Sequence, residues 1–591
     1  MAEEKKEKKH KKDKKKKKDA EKGQGFIKQL RIAYRSLDNP KKFYTTIFLP
    51  LVIIGVLVFC LPFILDMILP VSMGFNYITF IVGGIVPIFL GVFYPYIAWK
   101  NKENDINGKM HFFITHLRVL AISDLSLKDI INMLGGKTVY GSLGDELKKI
   151  SVLSTQWRMP VSKTFRFISA RTPSKILKDF LDRFSQSLDS GVEHREFIEI
   201  EQEAVIQKYT TMYESSNENI MILNEVYVSM FISIIFVMSM GIVLPIIMGT
   251  ESMNTFIYIS SFMLIAAEAM FLYLLKAMIP ADEIWHLTGE KSKTELKLSK
   301  IFKSSIVACI VIGFVLFFLK FYMPNPIIDI LPLEILIAIT ITPLISVGIL
   351  TFKEEQNIAR KESSFLGFLP ALGSISTMRG GKITESVYYL SEKDYGVLTK
   401  HVRDLYRRLR TRIDDDESWE WFGVDTGSNF VQRSSEMFRE ATYAAANPRK
   451  VSKMISENMR KIRDLRVKKL TIVNTSIALF GGITFGVAFA IYISLVIGEH
   501  LNKIVGETSG WQSEATKGID ILYHVPDEMY AGAFLTIFIV LVIHCFLLSL
   551  TLKTIRGSHP YVITLFFVPF VWIVAITSFL VQIFIGNMMT G

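Results

Sequence analysis

The sequence predicts an all-α polytopic membrane protein, with about nine transmembrane helices and two cytoplasmic helical-bundle domains in an internal repeat. Three observations carry this prediction. Apolar residues make up 50% of the 591-residue chain and gather into runs long enough to cross roughly 30 Å of hydrocarbon. Two long polar stretches show helical rather than strand periodicity. The succession of spans and polar stretches also occurs twice.

Residues 1–43 open with MAEEKKEKKHKKDKKKKKDA, which holds eleven Lys against five Asp/Glu. A segment this polar and repetitive is expected to be a disordered basic tail. The first apolar run begins near Tyr44, exceeds a signal-peptide core in length and lacks a small-residue cleavage site, so it reads as a retained span. The expected spans are 44–69 and 77–99, then 224–248 and 255–278, then 302–321 and 328–351, and finally 470–497, 529–552 and 560–586. The resulting divisions are 44–99, 223–278, 302–351 and 470–591 in the membrane. Between them lie a first bundle at 100–222, a loop at 279–301 and a second bundle at 352–469.

Charge fixes the expected orientation. With the N-terminus inside, the outer segments hold only Lys503 and Lys517 of the 68 Lys and Arg residues. The inner segments hold the tail, both bundles, KAMIPADEIWHLTGEKSKTELKLSK and TLKTIRGSHP. The chain is therefore expected in the cell membrane with its N-terminus cytoplasmic and its C-terminus outside. The repeat has weak sequence echoes: FITHL from Phe113 against FLGFL from Phe365, and YGSLGDELKKI from Tyr140 against YGVLTKHVRDL from Tyr395.

Within the first bundle, Thr172-Pro173-Ser174 marks a helix start. Phe180, Leu181, Phe184 and Leu188 then share one helical face, with Lys175–Asp179–Arg183 and Lys178–Asp182 as expected i,i+4 pairs. From Glu193 to Met240 there is neither Gly nor Pro, and the residues turn from charged to apolar near Leu223. One helix of about 70 Å could run the whole way, with a break at the membrane surface as the alternative. Arg449 to Phe480 repeats the pattern. A continuous helix would couple each bundle rigidly to a membrane span.

The catalytic motifs fail on context. LGGKT at Leu134–Thr138 has Ile131 where a phosphate-binding loop requires Gly, and GGK at Gly380–Lys382 has Ser376 there. Both read as glycine helix ends. No HExxH, GxSxG, SxxK or GxGxxG occurs in a usable setting, so neither catalysis nor a cofactor or metal is expected. Cys60, Cys309 and Cys545 lie in apolar runs and read as small buried residues. Asp414-Asp415-Asp416-Glu417 reads as a solvated loop. Among intramembrane polar residues, Glu268 and His544 stand out, and an interhelical hydrogen-bonding role suits Glu268 better than a proton relay.

The second bundle is basic, with 23 Lys/Arg against 17 Asp/Glu in residues 352–469. Arg403, Arg407, Arg408, Arg410 and Arg412 lie far enough from the membrane to serve an acidic protein partner, or simply to face solvent. Arg460, Lys461, Arg463, Arg466, Lys468 and Lys469 precede a span and are expected to meet anionic headgroups. No nucleic-acid-binding fold accompanies this charge.

The stretch WRMPVSKTFRFISARTPSKILKDFLDRFSQSLDSGVEHREFIEIEQE, from Trp157, resembles the type II secretion F domain, and SLDSGVEHREFIEIE at Ser187–Glu201 resembles its archaeal branch. The two-bundle, many-span layout is similar to the assembly platforms of archaella and archaeal type IV pili. The likeness covers nearly the whole chain from about residue 44, although the motif's counterpart in the second bundle is hard to place. The resemblance implies a non-enzymatic platform, dimeric by analogy, that receives a hexameric secretion ATPase and helps insert pilin-like or archaellin subunits. On charge, the ATPase contacts are then expected at Arg403, Arg407, Arg408, Arg410 and Arg412, with Arg166, Arg171 and Lys175 in the first bundle. A transporter or channel using Glu268 is the competing reading, and an adhesive pilus or secretion platform is a nearer one.

Overall fold

A computed structural model describes residue 34 and residues 43–53, 55–56, 59–60, 77–244, 251–280, 282–322, 331–411, 414–509 and 527–590. The described residues are mostly helical and form no strand; a single antiparallel bridge joins Trp285 to Ser428. The basic tail at 1–43 lies almost wholly outside them, as does most of the expected first span, where only a π-helical turn at Tyr44–Phe48 and its neighbours are described.

The first bundle hangs from α1 (Tyr77–Ala121), which contains the expected second span and continues beyond it. Four short helices follow: α2 (Leu127–Gly135), α3 (Gly141–Thr155), α4 (Val161–Ser169) and α5 (Lys175–Asp189). Ser174 caps α5, its hydroxyl accepting from the Leu177 N–H at 3.1 Å. The bundle closes on α6 (His194–Val243), 50 residues without interruption. Continuity across the membrane surface follows from the absence of Gly and Pro before Gly241, and within lipid the backbone must satisfy its own hydrogen bonds. The helix α7 (Glu251–Met278) returns through the membrane.

The second half begins with α8 (Lys293–Tyr322) and α9 (Leu333–Ile341). A 3-10 turn at Thr342–Leu344, where Pro343 withholds a donor, links α9 to α10 (Ile345–Met378). The short helices here are α11 (Ile383–Ser391), α12 (Thr399–Arg410), α13 (Asp415–Thr426) and α14 (Asn429–Tyr443). A 62-residue helix follows, α15 (Pro448–Ser509), which passes straight through Gly481 and Gly482. The chain finishes with α16 (Asp527–Arg556) and α17 (Ile563–Thr590). Among the described residues, seven helical stretches are long and apolar enough to cross a membrane: α6, α7, α8, α9 with α10, α15, α16 and α17.

The expected glycine ends are present: α2 stops at Gly135–Gly136, while Gly380 and Gly381 follow α10 with φ of 66° and 85°. Several expectations need correction. Asp179 and Arg183 do not pair along α5 but reach across to α6, Lys208 to Asp179 at 3.1 Å and Arg183 to Glu201 at 2.6 Å, because α5 and α6 lie antiparallel. The acidic run is not a loop. Asp414 caps α13, and Asp415, Asp416 and Glu417 form its first turn, where the helix dipole favours negative charge. Arg466 and Lys469 do not face headgroups; both are folded inward against Asp282. Cys545 is buried as expected, whereas Cys60 and Cys309 are only half-buried.

The two bundles share one hydrophobic core. Phe113, Phe180 and Tyr209 of the first belong to the same cluster as Phe365, Phe368 and Phe438 of the second. Phe112 meets Phe430 edge-on with centroids 5.5 Å apart, and Asn458 of α15 donates to Thr115 of α1 at 2.7 Å. A separate core fills the membrane region between α6, α7, α15, α16 and α17.

Candidate functional site

Where the bundles meet the membrane helices, charged residues are buried together. The segment joining the two halves of the chain crosses this level in extended form. It holds to the start of α14 through His286 N–H to Gly427 O at 3.1 Å and Asn429 N–H to Ile284 O at 3.0 Å. Asp282 at its head accepts from Arg466 Nε and from the Tyr213 hydroxyl of α6, each at 2.9 Å, with Arg466 Nη2 2.6 Å away. Lys469 Nζ stands 3.6 Å away. Burial alone would raise the pKa of Asp282, but the Arg466 and Lys469 charges hold it well below the carboxylate range. Glu362 of α10, buried beside Arg466, is raised by burial, with that same arginine opposing the shift.

A third buried carboxylate, Glu355, lies about two turns before Glu362 on α10. It accepts from Ser558 Oγ and His559 N–H at 2.9 Å and from Trp285 Nε1 at 3.3 Å, and forms an ion pair with Arg556, whose Nε lies 3.3 Å away. Together the two carboxylate centres tie α6, α10, α15, the linking segment and the α16–α17 turn into one junction. Sequence reasoning missed Asp282, Glu355 and Glu362. The only signal was a set of acidic residues at the ends of apolar runs, where solvated charges are also common.

The expected partner-facing arginines behave differently from one another. Arg403, Arg407 and Arg410 are exposed along one face of α12. Arg407 pairs only with Asp404, at 3.2 Å on the same helix. Arg408 points inward to Asp425 at 2.6 Å, which makes it part of the fold, and Arg412 lies outside the described residues. In the first bundle, Arg166 pairs with Asp189 at 2.5 Å on an exposed surface. Arg171 and Lys175 sit elsewhere, lining a cleft near the base of α1.

In the membrane core, Glu268 of α7 and His544 of α16 are fully enclosed and bonded to each other, and the Tyr227 hydroxyl of α6 lies 3.4 Å from Glu268. Three spans are thus joined by polar groups. Asn224 of α6 adds another tie, donating to Ser476 of α15 at 2.8 Å. Among the described residues, no group of three or more His, Cys, Asp or Glu is arranged to hold a metal ion.

Bundle, long exit helix and buried charge junction define a class: a multi-pass helical membrane protein with helical bundles packed at the ends of its spans. The profile of the type II secretion system (T2SS) protein F family matches residues 113–242, from within α1 to the end of α6. The chain is 30% identical over 559 residues to the flagella accessory protein J of Methanocaldococcus jannaschii, covering 93% of this chain and 96% of that one. It is 32% identical over 539 residues to the flagella accessory protein J of Methanococcus voltae, covering 90% and 96% respectively. The chain belongs to the flagella accessory protein J family, whose members are archaellum platform proteins of the membrane. No solved structure matches it.

Proposed function

We propose that the chain receives a hexameric secretion ATPase on the arginine face of its second bundle and passes that ATPase's movement to filament subunits entering from the membrane. In an archaellum the same coupling would serve rotation. The observation that carries this reading is the pair of uninterrupted helices, α6 and α15, each running from a bundle into the membrane. The exposed row Arg403, Arg407 and Arg410 supplies a surface for an acidic partner. We take the chain to have nine spans, the N-terminus inside and the C-terminus outside, and to act as a homodimer beneath the hexamer. The matching succession of short helices, α2–α5 against α11–α14, supports an internal duplication.

Binding of the full-length protein to its ATPase tests the site. Arg403→Glu with Arg407→Glu and Arg410→Glu is expected to weaken binding by about tenfold or more, less so at high salt. Arg408 is left intact because it holds Asp425. Unchanged binding and normal filament assembly by the triple variant would remove the site. Whether the filament swims or adheres is answered by the phenotype of cells lacking the gene. A transporter reading would rest on Glu268, but its engagement by His544 and Tyr227 supports a packing role. Flux in proteoliposomes that is abolished by Glu268→Gln would reverse that judgement.

A further inference from the structure

The first bundle contains a cleft of about 1460 Å³ that neither the ATPase face nor the charge junction uses. Its floor is Trp99, where the apolar run of α1 gives way to Lys100-Asn101-Lys102. Just beyond, Asn104 donates to the carbonyl of Ala277 at 2.5 Å, at the end of the spanning helix α7. The floor therefore lies at the edge of the hydrocarbon. Ser174, at the start of α5, bonds Asn107 at 2.5 Å, so the opposite rim stands eight residues of α1 higher, roughly 12 Å. That interval corresponds to the headgroup layer of a bilayer and the water just above it.

The cleft is basic. Lys102, Lys148, Lys149, Arg171, Lys175 and Lys178 line it against two carboxylates, Asp145 and Glu146, an excess of four positive charges. Glu146 is already engaged by Lys102 at 2.9 Å and Lys149 at 3.2 Å. Lys148, Lys175 and Lys178 are all solvent-exposed. The Arg171 guanidinium is set in place 3.6 Å over the Phe167 ring. Two polar atoms in the lining, the Trp99 indole N–H and the Thr172 hydroxyl, are buried with no hydrogen-bond partner. At the rim, Trp157 is 72% exposed, a costly placement in water but a favourable one for an indole among headgroups.

We propose that this cleft is a binding site for the phosphate-bearing headgroup of an anionic membrane lipid. The lysines and Arg171 neutralise the phosphate, and the exposed Trp157 indole packs among the headgroups. The first bundle would thereby be held flat to the membrane at its base. This assignment removes Arg171 and Lys175 from the set of ATPase contacts, and it stands whether or not the ATPase docks on α12.

Native mass spectrometry of the detergent-purified full chain tests the proposal, with short-chain phosphatidylglycerol, short-chain phosphatidylcholine and inorganic phosphate as probes. The anionic lipid is expected to bind at least about tenfold more tightly than the zwitterionic one, given about fivefold per basic side chain near a membrane surface. Lys148→Gln with Lys175→Gln and Lys178→Gln should abolish that preference while keeping the wild-type unfolding midpoint. The variant carrying Arg403→Glu, Arg407→Glu and Arg410→Glu should retain it. Equal binding of the two lipids, or a preference that survives the glutamine substitutions, overturns the proposal. Displacement of the lipid by phosphate at equal concentration reduces the site to a free-anion site and overturns the lipid assignment. Glutamine substitutions that weaken ATPase binding and leave lipid binding intact would make the cleft a protein-docking face instead.

Discussion

Arg466 donates to Asp282 through Nε at 2.9 Å and holds Nη2 2.6 Å from the same carboxylate oxygen, inside the protein and close to the membrane surface. The two residues come from the link between the halves and from α15. Tyr213 of α6 completes the carboxylate at 2.9 Å, so the long helices of both bundles meet at one side chain.

Removing the acid strands Arg466 and Lys469 in a buried place. Asp282→Ala is expected to lower stability by about 3–5 kcal/mol, the cost of leaving a buried charge without its partner. Adding Arg466→Met should recover part of that loss, a non-additivity that chemical unfolding in detergent would measure. Additive losses would show that the pair is not coupled.

The bundles should weaken in mild acid. His111 of α1 is enclosed, and burial, aided by the nearby positive Arg433 and Arg466, lowers its pKa to about 3. The folded protein therefore leaves the imidazole neutral where the unfolded chain, at about 6.5, takes up a proton. Stability is complete above that unfolded value and falls as pH drops toward the folded one. His111→Phe, next to the Tyr209 ring at 4.4 Å, should flatten the loss between about pH 6.5 and 4.5. Thermal midpoints across that range would check it.

Glycines at two positions on α10 should respond in opposite directions. A Cβ on Gly348 would come within 2.5 Å of the Leu565 backbone nitrogen, whereas one on Gly367 meets nothing within 4 Å. Gly348→Ala is expected to cost about 1–3 kcal/mol by forcing α17 away. Gly367→Ala should stabilise by up to about 1 kcal/mol through helix propensity. Unfolding midpoints of the two single variants would separate the effects.

Glu268→Leu would leave His544 enclosed without its partner, at a cost of about 1–3 kcal/mol. Glu268→Gln preserves a hydrogen bond and should lose less. The ranking can be read from the yield of monodisperse protein after heating in detergent; identical yields would show the pair to be dispensable for packing.

Local chemistry was legible in the sequence. The uninterrupted course of α6 followed from missing Gly and Pro and from the change of character at Leu223, and the start of α5 from Thr172-Pro173-Ser174, although the cap is Ser174 and Pro173 precedes the helix rather than opening it. Glu268 and His544 each stood out as polar residues in apolar surroundings, but nothing in the sequence said that they touch, because 276 positions separate them. The junction was harder still. Arg466 and Lys469 sit in a basic cluster before a span, a pattern shared by residues that do meet headgroups. Only the fold brings Asp282, 184 positions away, to claim them. For the same reason two stretches that read as separate bundles share one core: the Phe112–Phe430 contact has no local signature.

The helices α6 and α15 run in the same direction and are fastened at intervals, Lys468 to Glu214 at 2.9 Å and Asn224 to Ser476 at 2.8 Å. Rods fastened along their length cannot slip past one another, so they flex as a single thicker beam with more resistance than two loose ones. A load applied at the far end of either bundle would then reach the lipid as a tilt of both helices together. The fasteners nearest the bilayer, rather than the helices themselves, become the parts that yield first.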